Sequence, residues 1–108
     1  MKTIITSTTE SIPGMKVSKI LGIVRGNTVR SRNIGRDIGA AFKNLVGGEI
    51  RSYTEMLTQA REEAFNRMIN DAISLKADAV INVRFMTSNV MNGAAEMLAY
   101  GTAVKLSK

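Results

Sequence analysis

Between Ile50 and Leu75 the chain places an apolar or small residue every three or four positions, at Tyr53, Leu57, Ala60, Ala64, Met68, Ala72 and Leu75. That spacing is the period of an α-helix with one buried stripe. Glu55, Gln59, Glu62, Asn66 and Asn70 form the opposite, wet stripe, while Phe65, Ile69 and Ile73 widen the apolar side. Glu63 and Arg67 make an i,i+4 pair in the favourable order, contributing a few tenths of a kcal/mol. At 1.5 Å per residue the helix runs about 40 Å, against roughly 34 Å across a compact sphere of this chain length. A helix that long overhangs its own subunit and finds company elsewhere.

After Asp78 the period changes to two. Ile81, Val83 and Phe85 share one face of a strand, and Leu98, Tyr100, Thr102, Val104 and Leu106 share a face of the next. Asn92-Gly93 between them is a type I′ hairpin signal. With that turn, Met91 faces Ala94 and the ladder pairs Phe85 with Tyr100, Val83 with Thr102 and Ile81 with Val104, which opposes core-type residues throughout. The other face of the same sheet is small and apolar. It carries Met86, Met97, Ala99, Gly101 and Ala103, joined by Ile20, Gly22 and Val24 from an earlier strand, with Asn82 and Arg84 as exceptions. A sheet face left to water carries polar residues. These eight small or apolar residues are therefore predicted to receive a second copy of the chain, in a closed symmetric homo-oligomer.

Upstream, Lys2 to Thr6 and Met15 to Arg25 read as strands, separated by the polar segment Ser7 to Gly14. Gly26-Asn27 reads as a turn, with Thr28 to Arg30 as a short return strand. Asn33 caps a short helix to about Leu45, which Gly47-Gly48 ends. The expected fold is α+β: an antiparallel sheet, one long amphipathic helix and one short helix in a single domain over residues 1–108. No repeat, linker or low-complexity segment suggests another module.

Three stretches together, "RSRNIGRDIGAAFKNLVGGE", "YTEMLTQAREEAFNRMINDAISLKADAVINVRF" and "AAEMLAYGTAV", resemble the YbjQ-like family of small bacterial and archaeal proteins, often labelled heavy-metal-binding. The likeness runs from about Thr3 to Val104. The resemblance implies a dodecin-like β-α-β-β subunit assembled into a ring, usually a pentamer. Lys76 departs from the pattern, because the family commonly has glycine at the helix exit; the helix is expected to end differently, with Asn or water in the glycine's role.

The chain has no cysteine and no histidine. Disulfides, thiolate metal sites and cysteine nucleophiles are thereby excluded, as is proton transfer by imidazole. No run approaches the roughly 20 apolar residues of a membrane span, and Met1 to Glu10 lacks the layout of a secretory signal; a cytoplasmic location is expected. Of 15 Lys and Arg, six (Lys16, Lys19, Arg25, Arg30, Arg32 and Arg36) lie between Ser11 and Arg36 without an acid, and the other nine balance nine Asp and Glu. The net charge of +6 therefore resides in that stretch.

Function follows mainly by exclusion. A scaffold or small-molecule-binding assembly with sites at subunit junctions is the first expectation. Binding of an anion or nucleic acid through Arg25, Arg30, Arg32 and Arg36 is the alternative, although no aromatic interleaves them to stack bases, and a charge run is usually a solvated face. Soft-cation ligation by the thioethers of Met86, Met91 and Met97 is a further alternative, against core or interface filling by the same side chains. No catalytic residue, metal site, cofactor or membrane partner is expected. The acids Asp37, Glu49 and Asp78 near helix ends are more simply dipole and turn residues than catalytic ones.

Overall fold

The computed structural model describes residues 3–31, 47–91 and 94–108. The expected short helix, with Arg32, Arg36 and Asp37, and the Asn92-Gly93 turn lie outside the described residues. Strands β1 (Ile5–Thr6) and β2 (Lys16–Ser31), helix α1 (Gly47–Ser74), and strands β3 (Ala79–Met91) and β4 (Ala94–Ser107) follow in chain order. The four strands form one sheet in the order β1-β3-β4-β2. β2 and β3 each run antiparallel to β4, whereas the two-residue β1 runs parallel to β3. The sheet is therefore mixed rather than antiparallel throughout.

The helix follows its sequence pattern. Ala60, Ala64, Met68 and Ala72 are buried, Leu57, Phe65 and Ile69 pack beside them, and Glu55, Gln59, Glu62, Asn66 and Asn70 are exposed. Leu75 falls just past the last helical turn and is exposed, as is Ile73. The exit is closed without a glycine. Lys76 itself takes φ 63°, its N–H donates to the Ile73 carbonyl at 2.9 Å, and the Ala77 N–H donates to the Ala72 carbonyl at 3.1 Å. This is a Schellman motif with a lysine at the left-handed position, and buried Ala77 lies over buried Ala72 as its apolar contact.

β2 runs unbroken through Gly26-Asn27, where the sequence suggested a turn. Gly26 serves close approach instead. A Cβ there would stand 2.3 Å from the Ala64 carbonyl oxygen and 2.4 Å from the Met68 nitrogen, so the helix backbone occupies the place of a side chain. Small residues recur on both sides: Ala60, Ala64 and Ala72 of the helix meet Ala99 and Ala103 of the sheet, with Met68, Val24 and Met97 filling the same core. Helix side chains also engage the outer edge of β2. Arg67 Nη1 donates to the Asn27 carbonyl at 2.6 Å, and the Arg25 N–H reaches Asp71 Oδ2 over a long 3.4 Å. Glu63 takes both Arg67, at 2.5 Å, and Arg30.

The hairpin begins in the expected register, Met91 opposite Ala94, and leaves it within two residues. One irregularity between Asn89 and Met91 shifts the ladder so that Phe85 pairs with Ala99, not Tyr100. A second, between Ile81 and Arg84, shifts it again, so that Ile81 pairs with Thr102 rather than Val104. Each extra residue reverses the faces that follow it. At the second bulge Asn82 takes φ 54°. The Asn82 and Val83 N–H groups donate to the Thr9 and Ser7 carbonyls, both at 3.0 Å, so the bulge carries the amino-terminal segment.

Two substitutions check these causes. Gly26→Ala should cost about 2–4 kcal/mol by urea unfolding, because the methyl must displace helix backbone. Lys76→Gly should add about 1 kcal/mol, since it relieves an L-residue from the left-handed region at an exposed position; an unchanged or lower midpoint would contradict the assigned cap.

Candidate functional site: the uncovered face of the sheet

The expected second-subunit surface divides between the two faces. Val24, Met97, Ala99 and Ala103 are buried under the chain's own α1. Gly101 is buried on the same face, where a Cβ would meet Val80 Cγ1 at 2.7 Å. These five face the chain's own helix instead of a free surface. The expectation put the bulky residues against the helix; the small ones are there, because they let α1 approach the sheet. Ile20 and Met86 do lie on the other face, 67% and 55% exposed. Gly22 adopts φ 140° at an irregularity in β2, with open space where a Cβ would project.

Residues paired across neighbouring strands share a face, so the uncovered side can be read in rows. The row Ile20–Val104–Ala79 comes first, then Ile23–Thr102–Ile81, Arg25–Tyr100–Arg84, Asn27–Leu98–Met86 and Val29–Glu96–Ser88. The first rows are partly roofed: Ile12 of the amino-terminal segment and Leu106 pack against Ala79, Ile81 and Val104. Beyond that roof Ile23 is 74% and Val29 53% exposed. Leu98 and Tyr100 are half-buried between them.

Asp78, one of the acids noted near helix ends, is structural. Its N–H donates to the Val104 carbonyl and its Oδ2 accepts the Leu106 N–H, both at 2.9 Å, and Lys105 Nζ lies 3.8 Å from its other oxygen. It joins the helix exit to β4. The Glu49 side chain falls outside the description.

The arginines do not share one surface. Arg25 lies on the uncovered face, whereas Arg30, opposite Ala95, lies on the helix side and binds Glu63. Arg84, absent from the sequence-based set, joins Arg25 across Tyr100; the bulges that place it there leave no mark in the residue pattern. Ile23, Val29, Leu98 and Tyr100 were also missed as surface residues. A signal for them did exist: the alanines of the helix stripe match the small side of the sheet.

The thioethers diverge as well. Met86 pairs with Leu98 on the uncovered face, while Met97 pairs with Thr87 and Thr28 beneath the helix and accepts the Thr87 hydroxyl at 2.9 Å. The Met91 side chain falls outside the description. Among the described residues no group of three or more carboxylates gathers, and no helix is long and apolar enough to cross a membrane.

A family model described as "Putative heavy-metal-binding", YbjQ, matches residues 4–107. The chain is 62% identical to a UPF0145 protein of Thermosipho africanus over 96% of both chains. It is 63% identical to one of Archaeoglobus fulgidus over 97% of both, and 61% identical to one of Thermotoga maritima over 96% of this chain and 98% of that one. Among solved structures it resembles a protein of unknown function from the DUF74 family of Pediococcus pentosaceus. That likeness has a TM-score of 0.64 at 18% identity and covers 96% of this chain and 98% of that one, a likeness of fold alone.

The donors among the described residues do not fit a heavy metal. Soft cations want thiolate, imidazole or converging thioethers, and here Cys and His are absent while Met86 and Met97 lie on opposite sides of a sheet. Hard cations want several carboxylates together, and none gather among the described residues. Equilibrium dialysis against Cu(I), Zn²⁺ and Ni²⁺ should leave less than one ion per subunit at micromolar metal. Stoichiometric retention abolished by Met86→Leu would reverse this conclusion.

Proposed function

Because the chain belongs to the YbjQ family, whose metal description the donors among its described residues do not meet, we propose that it works as a non-catalytic homo-oligomer in which a second copy covers the sheet face turned away from α1. Small molecules bind at the junctions between copies, where two surfaces make a pocket that one lacks. The observation that carries this is the exposure of Ile20, Ile23, Val29 and Met86 around half-buried Leu98 and Tyr100 on one side of a sheet. Full burial of such a side chain is worth about 1.5–3 kcal/mol, so four of them supply a substantial part of an association energy.

The subunit's dimensions point the same way. Its Cα radius of gyration is 17.2 Å, against about 13 Å for a compact chain of this length, and its extents of 55 × 25 × 23 Å are those of a rod. A ring of five is the arrangement the family resemblance implies. A cytoplasmic location agrees with a chain free of cysteine. A nucleic-acid track through Arg25, Arg30, Arg32 and Arg36 is disfavoured, because Arg25 and Arg30 lie on opposite faces and Arg30 is paired with Glu63.

Sedimentation equilibrium and native mass spectrometry at micromolar concentration should report a closed multiple of the 11.7 kDa subunit. Ile23→Asp combined with Met86→Asp should shift it to monomer with helix content retained. A wild-type chain that sediments as a lone subunit would overturn the proposal.

A further inference from the structure

We infer that the row Arg25, Tyr100 and Arg84 is a binding site for a small amphipathic anion: a carboxylate, sulfonate or phosphate ester carried on an apolar body. The inference rests on the proposal that the uncovered face is a binding surface, and it names the chemistry that surface takes.

Register brings the three together. Tyr100 pairs with Arg25 on one side and with Arg84 on the other, so the two arginine backbones stand about 10 Å apart, two strand spacings, with the phenol between them. The row sets one arginine on each flank of the ring, and a guanidinium fork suits the oxygens of carboxylate and phosphate. Arg84 Nη1 donates to the Thr8 and Val83 carbonyls, each at 2.9 Å, on the β1 side of β3. Turning over Tyr100 exchanges those two bonds for bonds to the anion, and three of its five N–H donors are outside them already. The bulge that moves Arg84 opposite Tyr100 also brings the Ser7–Thr9 backbone to β3, through the bonds from Asn82 and Val83.

Charge and polarity define the ligand. Among the described residues no carboxylate forms an ion pair with either guanidinium, in contrast to Arg30 and Arg67, which share Glu63. Glu96, two positions along the same face, receives Asn27 Nδ2 at 3.1 Å. Ile23 flanks the row on one side, Met86 and Leu98 on the other. Two cations of like sign inside an apolar field are costly to cover unless a negative charge joins them. Inorganic phosphate brings the charge without the body, and a neutral hydrophobe the body without the charge. An amphipathic anion brings both.

The test uses the full chain with two probes of similar aromatic body, 8-anilinonaphthalene-1-sulfonate and the neutral N-phenyl-1-naphthylamine. Fluorescence titrations of the wild type, Arg25→Gln/Arg84→Gln and the Arg30→Gln control are paired with sedimentation of each sample. The expected result is sulfonate affinity at least about tenfold weaker in the double variant, as for loss of charge-assisted bonds. The neutral probe and the control should be unaffected. Equal sulfonate affinity in wild type and double variant would overturn the site, whatever the subunit count. Loss of both probes together with dissociation of subunits would also overturn it, assigning the arginines to acids of a second copy. A monomer that keeps the tenfold selectivity would leave the site standing and remove only the oligomer.

Discussion

The approach of the α1 backbone to β2 at Gly26 is the constraint on which the remaining architecture depends. With the Ala64 carbonyl 2.3 Å from where a Cβ would stand, the helix can seat only on glycine at that point and on small residues nearby. Ala99 and Ala103 beneath it, and Ala60, Ala64 and Ala72 on its own stripe, meet that requirement. Seating α1 so low also brings Arg67 and Asp71 within reach of the β2 edge, where they engage a carbonyl and an N–H that no described strand takes. An edge occupied by side chains is less available for stray pairing. The small side of the sheet is used up inside the subunit, and the bulky side is left outside.

The irregularities of β3 complete that division. A strand of strict period two would have kept Met86 with Met97 and Phe85 with Tyr100. The extra residue near the hairpin end instead turns Phe85 to the helix side, where its ring lies 6.1 Å from that of Phe65, and turns Met86 outward. The second bulge restores Ile81 to the side of Thr102 and Val104, beneath Ile12. At the same point it presents two backbone N–H groups to the amino-terminal segment. Asn82 suits that position because asparagine enters the left-handed region more readily than most residues.

Much of this was legible in the residues, and the failures have physical causes. The helix was legible because its stripe repeats over about six turns. The hairpin was legible at its tip, since Asn-Gly specifies a turn and Met91 does oppose Ala94. The faces were not, because period-two counting carries parity from the turn outward and a bulge of one residue inverts everything beyond it. Gly26-Asn27 misled for a related reason. Glycine supplies left-handed freedom in turns and an absent side chain in close packing, and only the partner across the gap tells which is in use. The lysine at the helix exit shows the converse: the cap geometry survives where its usual residue does not.

The uncovered face joins the fold to the functional question. A heavy-metal site needs donors that converge, and the topology separates the thioethers of Met86 and Met97 across the sheet while the chain offers neither thiolate nor imidazole. The same topology places two arginines that stand 59 positions apart in the chain on either side of one tyrosine, beside Ile23, Leu98 and Met86. Neither arginine alone would define a ligand, because an exposed arginine is ordinarily a solvated charge. Their common row is set by the β4 register on both sides of Tyr100, so moving either neighbouring strand by one residue would send one arginine to the helix side. The chemistry of this surface is therefore a property of the bulged register rather than of composition.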